Sequence, residues 1–337
     1  MLVAGLLLIG LAAARDGLFG WLASRLDRVP GSGRRLFFAG MASVALVSAT
    51  LNLDTAAVFL TPVMIAAARR RGLDERPFLY GTIFMVNAGS LFLPGSNLTN
   101  LIVLANENVT GSEFARRMLP AAIGAVAGTM LAVWLLNRRR LGGGTLDATA
   151  AARPGWIGLA ASATALILLL VLREPALPIA ALGVVTAGWM AVRGRLAPAD
   201  ALAAVNPLAL GGIFALAVGL GTLARAWDGP ATLLQGSGRI ATTAVGALSA
   251  VVVNNLPAAV LLSAVPPERP RALLIGLNLG PNLAVTGSLS AFLWLQAARG
   301  AGASPSIKEY SRLGVIVAPV GIACALGAIW AFAPAHS

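Results

Sequence analysis

The sequence predicts an all-α polytopic membrane protein with inverted-topology repeats, each holding a re-entrant helical hairpin and a broken transmembrane helix. Three observations carry that prediction. First, 58% of the 337 residues are hydrophobic, only 11% are charged, and mean hydropathy is +0.82. A soluble domain carries roughly 25% charged residues. Second, the basic residues behind the net charge of +12 gather at the ends of apolar runs: Arg34 and Arg35, 69–71, 138–140, Arg193 and Arg195. That is the positive-inside pattern of membrane proteins, not a nucleic-acid-binding stripe. Third, two polar knots, at 50–55 and 254–257, interrupt apolar segments at comparable places in the two halves of the chain.

The elements follow in order. Residues 2–27 read as one imperfect, tilted helix. The N-terminus lacks the basic n-region and small-residue cleavage site of a signal peptide. Residues 35–68 form two apolar arms of about 15 residues each, short of the ~20 needed to span a bilayer. Basic residues at both ends place both on the cytoplasmic face, so the segment is a re-entrant hairpin with its tip near the midplane. Residues 77–105 form a helix broken at 94–100 by Pro-Gly-Ser-Asn-Leu-Thr-Asn. Residues 119–136 are a full span, and 138–154 a basic, Gly-rich cytoplasmic linker. Spans at 156–172, 176–192 and 207–226 follow. They bring the second hairpin, 239–265, to the opposite face. A second broken helix covers 272–298, interrupted at 280–282 and 286–288, and 313–332 is the last span. The expected division is a first repeat at 1–137, the linker at 138–154 and an inverted second repeat at 155–337. The first repeat is N-terminally short, because the pair 156–172 and 176–192 has no counterpart in it. Inverted repeats with broken helices and polar tips at midplane are the layout of a secondary transporter.

Asp54 is the only carboxylate inside a long apolar segment. An ionisable group at membrane depth is costly unless paired or solvated, which makes it a functional candidate. Beside it at the first tip stand Asn52 and Thr55, and at the first helix break Ser96, Asn97, Thr99 and Asn100. The second repeat offers Asn254 and Asn255 at its tip and Asn282, Thr286, Gly287 and Ser288 at its break, with Ser290 as a further candidate. Nearly all are neutral donors and acceptors, and half-helix N-termini add backbone N–H groups. Such a pocket suits a small polar solute or oxyanion and lacks the buried Arg or Lys suited to a di- or tricarboxylate. The single cysteine, Cys324, reads as a small packing residue, and the single histidine, His336, lies in the tail. One of each is too few for a zinc site, and no other metal or cofactor is called for. No His-Glu-x-x-His, paired-Asp or Ser/His arrangement occurs in the apolar segments, so an enzyme is not expected.

These motifs resemble a family. The stretch Asn52-Leu53-Asp54-Thr55-Ala56-Ala57-Val58-Phe59-Leu60-Thr61-Pro62 is similar to the Asn-Asp-Gly-Ala-Ala…Leu-Thr-Pro segment of arsenite efflux permeases, with Leu53 inserted and Thr55 where Gly is usual. It also resembles the Ser-Asn-Thr hairpin tips of the wider ion transporter superfamily, which includes citrate and dicarboxylate carriers. Ser96-Asn97-Leu98-Thr99-Asn100 resembles the permeases' Ser-Asn-Leu-Val-Asn, and Asn254-Asn255-Leu256-Pro257 their Asn-Asn-Met-Pro. Leu279-Gly280-Pro281, with Gly287-Ser288-Leu289 through Trp294, resembles their Leu-Gly-Pro…Gly-Ser-Leu-Ala-Thr-Leu-Leu-Trp. The resemblance implies a multi-pass plasma-membrane carrier that extrudes arsenite or antimonite, as the neutral trihydroxide, in exchange for protons. Asp54 would carry the proton. Some relatives of this kind are energised by a soluble ATPase, so the resemblance admits such a partner. A sodium/proton antiporter or an organic-anion carrier of the same superfamily is the alternative.

Overall fold

The computed structural model describes residues 1–105, 107, 109–143, 155–172, 174–227 and 229–332; at 209, 210, 213, 216, 217, 224, 225 and 231 it describes the backbone alone. The C-terminal part of the expected linker, 144–154, and the tail with His336 lie outside the described residues. Among the described residues all regular structure is helical.

The expected first helix is two helices, α1 (Leu2–Arg15) and α2 (Leu18–Asp27), bent by 57°. Gly17 causes the bend, with a φ of 87° that side chains bearing a Cβ avoid. Asp16, buried beside it, accepts from the Gly158 N–H at 2.9 Å and pairs with Arg195 at 3.1 Å. The bend is thereby pinned to helices far along the chain.

The first hairpin consists of α3 (Gly33–Thr50) and α4 (Leu53–Arg70), packed on each other. Its open end is tied down by arginines. Arg70 pairs with Asp27 at 2.9 Å, and Arg71 donates to the carbonyls of Leu26, Asp27 and Val29. The broken helix follows as α5 (Arg76–Gly89) and α6 (Leu98–Val103). Its break begins at Ser90, earlier than the expected 94–100. Pro94 pushes Leu93 into extended backbone, and the Ser90 hydroxyl bonds back to the Asn87 carbonyl instead of supporting another turn.

The full span α7 (Gly111–Asn137) starts ahead of the expected 119, because Thr110 caps it through the Glu113 N–H. Then come α8 (Trp156–Val171), α9 (Ala176–Val192), α10 (Pro198–Val205), α11 (Pro207–Ala226) and the single turn α12 (Gly229–Thr232). The short α10 is not anticipated by the sequence. It starts on Pro198 and ends on left-handed Asn206. The second hairpin is α13 (Arg239–Val253) with α14 (Asn255–Leu262), and its returning arm is 8 residues against 18 in the first. The second broken helix is α15 (Pro270–Leu279) and α16 (Leu289–Gly300), followed by α17 (Ile307–Phe332).

Among the described residues, Gly111–Leu141 and Ile307–Phe332 are each long and apolar enough to cross a membrane alone, and the bent α1–α2 pair is so as a unit. With 16 and 17 residues, α8 and α9 extend roughly 24–26 Å, slightly under the ~30 Å hydrocarbon core. Large apolar side chains are exposed along the outer faces, among them Leu131, Trp156, Ile167, Val184, Val185, Trp189, Val315 and Trp330. Soluble proteins rarely present so much contiguous apolar surface; here it faces lipid. Cys324, expected as a small packing residue, is exposed on the outer face of α17, although its sulfur sits over Gly128 of α7.

Within each half the first hairpin arm packs on the broken helix, α3 on α5 and α13 on α15. The second arms cross over: α4 packs on α16, and α14 on α6. This exchange interlocks the halves and brings four half-helix N-termini to one place.

Candidate functional site

The four half-helices α4, α6, α14 and α16 begin at Asn52, Asn97, Asn254 and Ser288, each of which caps its own helix. The Asn52 side-chain oxygen accepts from the Thr55 N–H at 2.7 Å, and that of Asn97 from the Thr99 N–H at 3.0 Å. Asn254 accepts from Leu256 N–H and the Ser288 hydroxyl from Ala291 N–H, both at 3.3 Å. The break-region caps Asn97 and Ser288 are thus structural equivalents, and so are the tip caps Asn52 and Asn254. Asn254 alone carries strain, with φ 76° and ψ 150°, a conformation nearly restricted to glycine and costing roughly 1–3 kcal/mol. Its amide also donates to the Thr286 carbonyl at 3.0 Å, tying the second tip to the second break.

A cavity of about 20 Å³ lies where the four N-termini meet, room for a water-sized group. Leu53 and Asp54 line it from α4, Asn97 and Leu98 from the start of α6, Asn255 and Leu256 from α14, and Leu289 and Ser290 from α16. Asp54, Leu98 and Leu289 also line a second, larger cavity of about 440 Å³, walled by α1, α4 and the α10–α11 junction. Asp54 therefore stands between the two. It is half-buried, and one carboxylate oxygen accepts at 2.6 Å from the hydroxyl of Ser290 on α16, far along the chain. Among the described residues it is the only ionisable side chain lining either cavity. Thr55 is buried under Gly10 of α1 and lines the larger cavity.

The remaining predicted residues split into two groups. Ser96 donates to the Ala49 carbonyl at 2.7 Å, and Thr286 is exposed with its hydroxyl on Val251 at 3.4 Å. Gly287 packs its backbone against Pro281. The buried Thr99 hydroxyl has no hydrogen-bond partner among the described residues. Asn100 and Asn282 turn away from the small cavity into a buried amide network. Its hub is Asn278. There the Asn278 oxygen accepts from Ser90 at 2.6 Å and Asn97 at 2.7 Å, while its amide donates to the Asn100 oxygen at 2.9 Å and the Leu274 carbonyl at 2.8 Å. Asn87 donates to the Asn282 oxygen at 2.8 Å. Asn87, Ser90 and Asn278 are not singled out in the sequence, where they lie inside apolar helix. A signal was there: Asn87 precedes the Asn97 cap by the same spacing that separates Asn278 from the Ser288 cap.

Crossed hairpins, two broken helices and an apolar outer surface define a secondary transporter, a carrier and not an enzyme. Comparison with known proteins agrees. The chain matches the citrate transporter family, CitMHS, over residues 1–298, and belongs to it. It is 28% identical over 347 residues to the arsenical pump membrane protein of Yersinia enterocolitica, covering 92% of this chain and 81% of that protein. It is 30% identical over 128 residues to the silicon efflux transporter LSI3 of Oryza sativa subsp. japonica, covering 38% of this chain and 26% of that one. Its fold is that of the YdaH transporter of Alcanivorax borkumensis, at TM-score 0.60 and 16% identity over 98% of this chain and 84% of the other. The protein is a multi-pass protein of the plasma membrane.

Proposed function

We propose that the protein exchanges protons for arsenite or antimonite, taken as the neutral trihydroxide, and moves them out of the cell. The observation that carries this reading is the charge pattern at the meeting point of the half-helices. Four helix N-termini favour one negative charge there, and Asp54 already supplies it. A carboxylate substrate would add further negative charge where, among the described residues, no Arg, Lys or His lines either cavity. A neutral solute has no such conflict and can hydrogen-bond to Asn97, Asn255, Ser290 and the half-helix N–H groups. Protonation of Asp54 removes the site's charge, which suits it to be the coupling group. In this reading Asn52, Asn254 and Ser288 hold the half-helix starts that frame the pocket, Thr55 lines the larger cavity, Ser96, Thr99, Asn100, Asn282, Thr286 and Gly287 support these elements from behind, and the chain divides into repeats 1–137 and 155–337 joined at 138–154.

A relative named as an arsenical pump membrane protein and one named as a silicon efflux transporter support a metalloid solute. The family's description as a citrate transporter supports a second reading, an organic-anion or sodium-coupled carrier. Everted vesicles given arsenite, citrate and sodium side by side separate the two. Arsenite flux driven by a pH gradient is the expected result, and citrate or sodium flux in its place would reject the proposal. Vesicles stripped of soluble protein add a second outcome: flux that returns only with ATP and a soluble fraction assigns an ATPase partner.

A further inference from the structure

The positive-inside rule leaves few basic residues for the face opposite Arg69–Arg71, yet an arginine cluster sits there, at the open end of the second hairpin. Arg239 opens α13, Arg269 and Arg271 flank the start of α15, and Arg117 stands in the second turn of α7. Arg239, Arg269 and Arg271 line a cavity of about 80 Å³ together with Glu268, Leu326 and Ile329. Arg271 is half-buried there, and both Arg239 and Arg117 repel it. Among the described residues it makes no hydrogen bond or salt bridge, and Glu107 is the acid whose charge opposes that repulsion. Of the other nearby acids, Glu113 pairs with Arg117, and the exposed Glu268 lines the cavity and accepts from the Gly236 N–H at 3.4 Å, so four arginines face three acids. Arg269 is held by the Ser237 carbonyl at 3.0 Å.

Crowded, partly desolvated guanidinium groups are stable together when an anion neutralises them, and their planar forks match phosphate oxygens. The floor of the cavity is apolar. Leu326 and Ile329 belong to the end of α17, where Trp330 and Phe332 are exposed at the membrane boundary, as interfacial aromatics are. We propose that this cluster binds a phosphate group, supplied by the headgroup of an anionic phospholipid whose glycerol and first methylenes lie on Leu326 and Ile329. The site is separate from the transport pocket and does not depend on what that pocket carries.

Native mass spectrometry of the full-length protein in neutral detergent, titrated with phosphatidylglycerol or phosphatidylcholine, tests it. Wild type is expected to retain phosphatidylglycerol about tenfold more tightly than phosphatidylcholine, and the Arg239→Gln/Arg271→Gln variant to lose most of that preference. Arg271→Lys keeps the charge but not the fork, so a smaller loss is expected there, which also covers a double variant that fails to fold. Arg312→Gln, at the opposite face, is expected to bind like wild type. Saturable binding of inorganic phosphate without lipid preference would keep the phosphate site and overturn its lipid source. Equal retention of both lipids in wild type together with no binding of inorganic phosphate, or undiminished preference in Arg239→Gln/Arg271→Gln, would overturn the site itself.

Discussion

Replacing Asn278 with leucine tests whether the buried amide network holds the two repeats together. The side chain makes four hydrogen bonds. In Asn278→Leu the Leu274 carbonyl keeps its helical environment, and Ser90 can return its hydroxyl to the Asn87 carbonyl at 2.8 Å. Two groups are stranded: the Asn97 amide and the Asn100 carbonyl oxygen. Each buried group left without a partner costs about 1–3 kcal/mol, so the variant loses roughly 2–6 kcal/mol. That is a large share of a typical folding stability of ~5–15 kcal/mol. Thermal unfolding in detergent should show the midpoint falling by many degrees, with Ser43→Ala as the control. Ser43 only bonds back to Ala39 within its own helix, so its removal should stay within about 0.5 kcal/mol. An Asn278→Leu protein that melts with wild type would refute the claim that this network ties the broken helices together.

Three further outcomes follow from the same geometry. A Cβ at residue 314 would lie 1.9 Å from the Asn282 carbonyl oxygen, so Gly314→Ala should lower the melting point by the equivalent of ~1–3 kcal/mol; a neutral result would mean that α17 packs on the second break less closely than described. Asn97→Leu and Asn255→Leu should each weaken arsenite transport about tenfold or more at limiting substrate, and wild-type transport by both would reduce these residues to packing features. Arg34→Cys and Arg70→Cys, in a Cys324→Ser background, should both react with an impermeant maleimide from the cytoplasmic side, whereas labelling from opposite faces contradicts the re-entrant hairpin.

Much of this was legible because membrane depth exposes polar residues in a sequence. Asn52, Asp54, Asn254 and Asn255 stand out against apolar arms, and Arg70 and Arg71 mark where the first hairpin returns. Pro94 and Pro281 announce the breaks. The rest was hidden where the deciding contact is made by distant chain. Asp16 reads as a surface acid beside a glycine, and only the approach of Gly158 and Arg195 makes it a buried pin. Asn278 reads as one polar residue in an apolar helix, and its partners Ser90, Asn97 and Asn100 come from the first broken helix. The crossing of α4 onto α16, which sets Ser290 against Asp54, has no local signature. Arg271 looks like an ordinary helix-end charge until Arg239 and Arg117 fold in beside it.

The role assigned to Asp54 is tested most directly by comparing two modes of arsenite movement in Asp54→Asn vesicles. Asn keeps the side chain's shape and can still accept from Ser290, but it cannot release or take up a proton. Net flux driven by a pH gradient should be abolished, while arsenite exchange between equal pools on the two sides, which needs no proton cycle, should continue at a measurable rate. Gradient-driven flux equal to wild type in Asp54→Asn would contradict the assignment of the coupling proton to this carboxylate.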